Sequence, residues 1–183
     1  MILFVCTGNT CRSAMAEAIM RARLVEAGWD PRRSGVASVG VEVTSAGAPP
    51  SGGAVEAMAD RGIDLSHHRT RPLDGQLLAD ADLAVAMTRR HEATIVALEP
   101  TARSRTFLAG EVVRLASSVG PRGKRPVADW VGALDAARAG HFTAGRVADE
   151  VVDPWGGTIE DYRRCADRLD GISTTMARLL TGA

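Results

Sequence analysis

Met1-Ile2-Leu3-Phe4-Val5-Cys6-Thr7-Gly8-Asn9-Thr10-Cys11-Arg12-Ser13 opens the chain, and its reading decides the rest. Residues 2–5 are an uninterrupted apolar run, short enough for a buried strand. Beyond Ser13 the apolar residues take helical spacing: Met15, Ile19, Met20 and Leu24 fall on neighbouring turns, and Gly28 supplies a stop. The pattern predicts a helix over 13–27. A strand therefore feeds a Gly-containing loop, and the loop feeds a helix N-terminus. Unpaired backbone N–H groups and the helix dipole then face one point, which makes an anion site. Cys6 sits at its mouth and Arg12 at its far end.

The residue types in this loop suit a phosphoryl group. Thr7, Gly8, Asn9, Thr10, Cys11, Arg12 and Ser13 form the candidate phosphate-binding loop. Only the thiolate of a cysteine attacks, and inward N–H groups beside a guanidinium favour that form at Cys6. Arg12 offers two phosphoryl oxygens a planar fork whose charge is permanent, a grip that Lys does not reproduce. Gly8 permits an unusual backbone angle and Asn9 tolerates a left-handed one, so successive N–H groups can turn inward. Ser13 has two readings: a hydrogen bond to the thiolate, or a helix cap. Such chemistry also needs a general acid, and Asp153-Pro154 is the candidate. Pro154 stiffens the loop and biases Asp153 toward extended geometry, Trp155 can wall a pocket, and Gly156-Gly157 leave room beside it. The bland alternative is an Asp-Pro turn before the final helix.

The 183 residues suit one domain with a substantial core. Equal numbers of basic and acidic residues, 22 each, argue against a general nucleic-acid or membrane-surface binder. No apolar run approaches the ~18 residues that cross a bilayer, and a catalytic loop starting at residue 6 leaves no place for a cleaved signal. Three cysteines, two of them in one loop, do not form a secreted disulfide framework and fit a cytoplasmic protein. No zinc-ligand spacing is present, and neither a metal nor another cofactor is expected.

Further along, Val39–Ser45 alternates like a strand, 49–53 reads as a loop, and Val55–Arg61 as a short helix. Leu83–Met87 reads as a buried parallel strand, Arg89–Leu98 as a helix closed by Pro100, Arg105–Leu108 as a weaker strand and Glu111–Ala116 as a short helix. Asp129–Arg138 is a possible helix within the less informative stretch 117–150. From Thr158 onward Ile159, Tyr162, Leu169, Ile172, Met176 and Leu180 recur at helical intervals, and Thr158 with Asp161 resembles a capping box. Alternating strands and helices predict a single three-layer α/β domain: a mostly four-stranded parallel sheet with helices on both faces. Ligands bind such sheets beyond the C-terminal strand ends, where Cys6 falls.

Val5–Ser13 resembles the phosphate loop of the low-molecular-weight protein-tyrosine-phosphatase family. Four further segments are similar to that family in the expected order: Thr44-Ser45-Ala46-Gly47 to its second strand and loop, Gly62–Arg69 to the segment after its second helix, Ala81–Thr88 to its third strand, and Asp153–Gly157 to its general-acid loop. The resemblance implies roles. Cys6 would attack phosphorus and form a phosphocysteine. Arg12 and the loop amides would hold the equatorial oxygens. Asp153 would protonate the leaving group and then activate water, Ser13 would stabilise the thiolate, and Asn9 would keep the loop's shape. It also implies a reversible Cys6–Cys11 disulfide; the plainer reading of Cys11 is a small buried residue. The departures are Ala14 where Pro is usual, no aromatic at residues 49–52, Trp155-Gly156 for a pair of tyrosines, and a segment at about 117–150 longer than the family norm. His67 and His68 read as structural.

The partner implied is a phosphorylated protein. Thr10, where many phosphotyrosine-directed members carry Ile, resembles the protein-arginine-phosphatase branch: a hydroxyl can bond a phosphoarginine guanidinium, or it can be spent on the loop's own backbone. Phosphotyrosine and phosphoarginine are both open. One alternative is a thiol-dependent arsenate reductase, in the version that uses a small-molecule thiol, since Cys165 has no late partner. Another is a non-catalytic phosphoprotein-binding module, against which Cys6, Arg12 and Asp153 stand together. A dinucleotide-binding protein is the weakest reading, because neither G-x-G-x-x-G nor G-x-x-x-x-G-K-[ST] follows the first strand.

Overall fold

The computed structural model describes residues 1–29, 35–138 and 145–182. Four parallel strands, β1 (Ile2–Cys6), β2 (Val36–Gly40), β3 (Leu83–Ala86) and β4 (Thr106–Leu108), lie in the order β2-β1-β3-β4. Between and after them run α1 (Arg12–Glu26), α2 (Gly52–Ala59), α3 (Gly75–Ala79), α4 (Arg89–Leu98), α5 (Ala109–Val119), α6 (Val127–Ala137) and α7 (Ile159–Thr181). The result is a three-layer α/β fold.

Alternate side chains of β1 explain why it is apolar throughout. Ile2, Phe4 and Cys6 face a core shared with Met15 and Ile19 of α1, Val112 of α5, and Leu169 and Met176 of α7. Leu3 and Val5 face a smaller core with Leu78 of α3, Ile95 of α4 and Ala102. The helical spacing in α7 buries Leu169, Ile172 and Leu180 on one stripe, each contributing roughly 1.5–3 kcal/mol. Asp161 opens α7 by accepting from the Thr158 N–H at 2.7 Å and from its hydroxyl at 2.8 Å. Gly182, with φ 78°, closes it in the left-handed conformation. Among the described residues no helix is long and apolar enough to cross a membrane.

Two expectations fail locally. The second strand is Val36–Gly40, not Val39–Ser45, paired from Ile2↔Val36 to Cys6↔Gly40. The chain leaves the sheet after Gly40 because its backbone clings to the loop after β1: Val41 N–H donates to Cys6 O and Glu42 N–H to Thr7 O, both at 2.9 Å. A side chain at Gly40 has no room, since a Cβ would stand 2.4 Å from Thr7 O and 2.9 Å from Asn9 N. Thr44-Ser45-Ala46-Gly47 is thus an exposed loop, and Ser38-Val39-Gly40 takes the strand position. Secondly, Gly52 and Gly53 belong to α2 rather than to a loop. Ser51 caps that helix, accepting from Ala54 N–H at 3.3 Å. The small residue is needed there, because a Cβ at Gly53 would lie 2.7 Å from the Tyr162 ring.

In the 117–150 stretch, α5 runs to Val119 and α6 spans Val127–Ala137, while residues 139–144 lie outside the described residues. Arg138, at the end of α6, is buried. It donates to both Glu111 oxygens at 3.0 and 2.8 Å and to Thr106 O at 2.7 Å, and lies over the Phe107 ring at 3.9 Å. These contacts tie α6 to β4 and α5. The sheet order also positions the site. Strands β2 and β3 flank β1 on opposite sides, so the chain leaves the sheet in diverging directions there and opens a crevice at the strand ends.

Candidate active site

The loop between β1 and α1 turns at Asn9, whose φ of 57° is the only positive value at a non-glycine among the described residues. Gly8, expected to take the unusual angle, does not. Asn9 is fully buried and bonded on every side. Its Nδ2 donates to Ser13 Oγ and Ser38 Oγ at 2.9 Å each, and its Oδ1 accepts from Arg71 N–H at 2.8 Å. Its carbonyl lies 2.8 Å from His68 Nε2, so His68 braces the loop; burial lowers that imidazole's pKa. His67 stays exposed.

Cys6 ends β1, buried. Its Sγ accepts the Asn9 N–H at 3.3 Å and lies 2.9 Å from Ser13 Oγ. Ser13 accepts from Asn9, so its own proton is free for Cys6 Sγ or for Val39 O at 3.2 Å. The cap position of α1 is Cys11, not Ser13.

Arg12 opens α1 with a buried guanidinium. Nη1 donates to Val151 O at 3.4 Å, Nη2 to Thr7 Oγ1 at 3.4 Å, and Nη2 also pairs with Asp153. Its Nε is buried and has no protein partner among the described residues, which suits a phosphoryl oxygen as acceptor. Asp153 is placed from two sides. Val151 N–H donates to Met87 O at 2.9 Å at the end of β3, and Trp155 N–H donates to Asp153 Oδ1 at 3.2 Å. With 45% of its side chain exposed, Asp153 still reaches the cleft.

The cleft holds about 250 Å³ and brings Cys6, Thr10, Cys11, Arg12, Asp153 and Trp155 together. Thr10 Oγ1 lies 3.6 Å from Cys11 Sγ, and no bond from it to backbone occurs among the described residues. Cys11 Sγ lies 3.1 Å from Ser51 Oγ, and burial pushes its thiol pKa up. Cys165 is buried on α7, its thiol pushed up to about 12 by burial. All three cysteines are free thiols. No group of three or more His, Cys, Asp or Glu side chains among the described residues could hold a metal ion.

Two residues went unnoticed in the sequence. Glu42 lines the cleft and pairs with Arg90. His91, in the first turn of α4, lies 2.9 Å from Thr7 Oγ1 through Nε2 and 3.0 Å from Thr88 Oγ1 through Nδ1. Burial first, and Arg12 next, push its imidazole down to about 4. No local signal marks it, because its role depends on β3 lying beside β1.

Fold and cleft together define an α/β protein with a buried thiol set in a loop that opens a helix at the sheet's C-terminal edge. Residues 1–117 match the family model described as low molecular weight phosphotyrosine protein phosphatase, and the chain belongs to that family. It is 32% identical over 185 residues to the protein-arginine-phosphatase of Bacillus subtilis (strain 168), across 98% of this chain and 95% of the relative. Over 111 residues it is 41% identical to the probable low molecular weight protein-tyrosine-phosphatase EpsP of Ralstonia solanacearum, across 61% and 71% of the two chains. Among solved structures, a YwlE arginine phosphatase mutant with a phosphorylated active-site serine superposes with a TM-score of 0.74 at 30% identity, covering 97% of this chain and 93% of that one.

Proposed function

We propose that the protein is a cysteine-dependent phosphoprotein phosphatase whose nucleophile is Cys6, whose phosphate clamp is Arg12 with the amides of Thr7–Ser13, and whose general acid is Asp153. The observation that carries this is the convergence of sulfur, guanidinium and carboxylate on one cleft. The Cys6 thiolate attacks phosphorus, forming P–S as the P–O or P–N bond to the protein side chain breaks. Asp153 gives its proton to the leaving oxygen or nitrogen. The Asp153 carboxylate then takes a proton from water, which attacks phosphorus and releases inorganic phosphate and the thiolate. The phosphorylated active-site serine of the YwlE mutant supports a covalent intermediate of this kind. Substrate must displace the Arg12–Asp153 ion pair, which frees both groups for these tasks.

Phosphoarginine is the substrate we favour over phosphotyrosine. Thr10 and the carboxylates of Asp153 and Glu42 line the cleft, and they suit a polar guanidinium better than an aromatic ring. The full-length match to a protein-arginine-phosphatase supports the same choice. We read residues 1–183 as one catalytic domain, and three free thiols as suited to a cytoplasmic setting.

Turnover of matched phosphoarginine and phosphotyrosine peptides by the reduced protein, beside Cys6→Ser and Thr10→Ile, tests this. Phosphoarginine should be preferred, Cys6→Ser should be inactive, and Thr10→Ile should shift the ratio toward phosphotyrosine. A wild-type preference for phosphotyrosine would assign Thr10 to loop structure. Turnover of neither peptide would sink the phosphatase reading.

A further inference from the structure

His91 is 2% exposed, and both of its ring nitrogens have partners, yet it plays no part in the chemistry described above. The bonds around it have one consistent direction. Arg12 Nη2 donates to Thr7 Oγ1 at 3.4 Å, so that oxygen is an acceptor toward the guanidinium. The Thr7 proton is then left for His91 Nε2, 2.9 Å away. With Nε2 accepting that proton, Nδ1 carries the imidazole's own proton and faces Thr88 Oγ1 at 3.0 Å, and the Thr7 hydroxyl and both ring nitrogens are satisfied. The polar chain runs Arg12, Thr7, His91, Thr88, and ends on the residue that caps α4. A charged imidazolium would reverse the Thr7–His91 bond and set a second positive group against Thr7 Oγ1 beside the Arg12 guanidinium. Burial and the Arg12 charge keep the ring neutral, its pKa being about 4.

We propose that His91 is a positioning residue: by bonding the Thr7 hydroxyl and holding it beside Arg12, it fixes the guanidinium in the orientation that grips a phosphoryl group. The proposal rests on Arg12 being the phosphate clamp. It separates two networks in the loop. The sulfur of Cys6 is held by Asn9 and Ser13, neither of which contacts His91. Loss of His91 should therefore weaken phosphate binding while leaving the reactivity of Cys6 in place.

Side-chain amides dissect the ring. The Gln amide reaches the place of Nε2 and keeps the Thr7 contact; the Asn amide stands for Nδ1 and keeps only the Thr88 contact; Phe keeps the volume and neither bond. The measurements are the Ki of inorganic phosphate and the kcat and KM for p-nitrophenyl phosphate, with iodoacetamide alkylation of Cys6 across a pH series and urea unfolding as controls. His91→Asn and His91→Phe should raise the phosphate Ki by roughly 3–10-fold, the worth of one hydrogen bond, and lower kcat/KM at least as much. His91→Gln should restore the Ki to within about 3-fold of wild type. Alkylation of Cys6 should follow one pH profile in all four proteins. A merely structural His91 would give Gln and Asn the same defect, since each loses one ring contact, and that result overturns the proposal. So does a Ki unchanged in His91→Phe. Failure of the wild type to bind phosphate at all would sink this inference and the role of Arg12 together, whereas tight phosphate binding indifferent to His91 would sink this inference alone.

Discussion

Adjacent residues in the first turn of α4 are driven in opposite directions by burial. His91 is pushed down from 6.5 to about 4, with Arg12 adding to the burial and Asp153 opposing it. Glu92 is pushed up from 4.5 to about 7, because burial outweighs Arg138, which favours Glu111 at 2.8 Å over Glu92 at 3.3 Å. The linkage signs follow. The unfolded chain protonates His91 below pH ~6.5 while the fold holds it neutral down to pH ~4. The stability that His91 confers is thus present above that window and lost as pH falls through it. The fold keeps Glu92 protonated up to pH ~7, while the unfolded chain ionises it above pH ~4.5. Its contribution is therefore present at low pH and lost as pH rises. Between these limits one extra proton is bound by the unfolded state at His91 and one by the native state at Glu92, and their effects on stability oppose each other.

Replacing either residue removes half of this balance. A full one-proton slope is ~1.4 kcal/mol per pH unit; overlap of the titrations reduces it to about 1 kcal/mol per unit. Relative to wild type at the same pH, Glu92→Gln should lose about 2 kcal/mol on going from pH ~6.5 to pH ~4.5. His91→Gln should gain a similar amount over the same interval. Urea unfolding followed by tryptophan fluorescence measures both, and taking each difference at matched pH cancels the titration of the exposed carboxylates. Variant-minus-wild-type differences that stay flat across the interval would refute the opposed-titration argument.

Two further perturbations test the packing that holds the site. Gly40→Ala sets a Cβ against the Thr7 carbonyl and the Asn9 amide, both backbone atoms, so the loop must shift. We expect a stability loss of about 2 kcal/mol, with kcat/KM on p-nitrophenyl phosphate falling by more than the roughly tenfold drop that a single lost loop contact would give. Arg138→Leu strands Glu111, whose side chain is fully buried, and should cost about 3–5 kcal/mol in urea unfolding. Arg138→Leu with Glu111→Leu should recover most of that loss; a double variant no better than the single one would mean that the pair is not what destabilises it.

What was readable in the sequence was what is local. Cys6 and Arg12 lie within one strand–loop–helix unit, so the order of those elements places both without knowledge of the rest of the fold. The α7 stripe was legible for a similar reason, since 23 residues give a helical period many chances to repeat. Helix α3, five residues long, is too short to carry a period. The second strand was misplaced because Val41, Glu42, Val43 and Thr44 alternate as strand residues do. That alternation serves a different end: Val43 packs over Gly40 and the intervening Glu42 pairs with Arg90. The break in the strand is set by Gly40 passing close to Thr7 and Asn9, a contact across more than thirty residues that no window reads.

The first turn of α4 shows the same limit more sharply. Thr88-Arg89-Arg90-His91-Glu92 reads as a solvated helix start, because polar residues in succession normally face water. In the fold each side chain of that turn leaves about 100° from the last and meets a different element. Arg89 bonds Glu150 at 2.9 Å, three residues before Asp153. Arg90 pairs with Glu42 on the cleft wall, His91 bonds Thr7 in the loop after β1, and Glu92 reaches Arg138 at the end of α6. The partners lie at 150, 42, 7 and 138, and they converge only because β3 lies beside β1 in the sheet. A turn that binds four elements by four polar contacts must be polar on every side, and that composition is what conceals it among surface helices. Cys6, Arg12, Asn9 and Ser13 therefore share one local motif, whereas Asp153, His91 and Glu42 are dispersed along the chain and meet that motif only through the strand order.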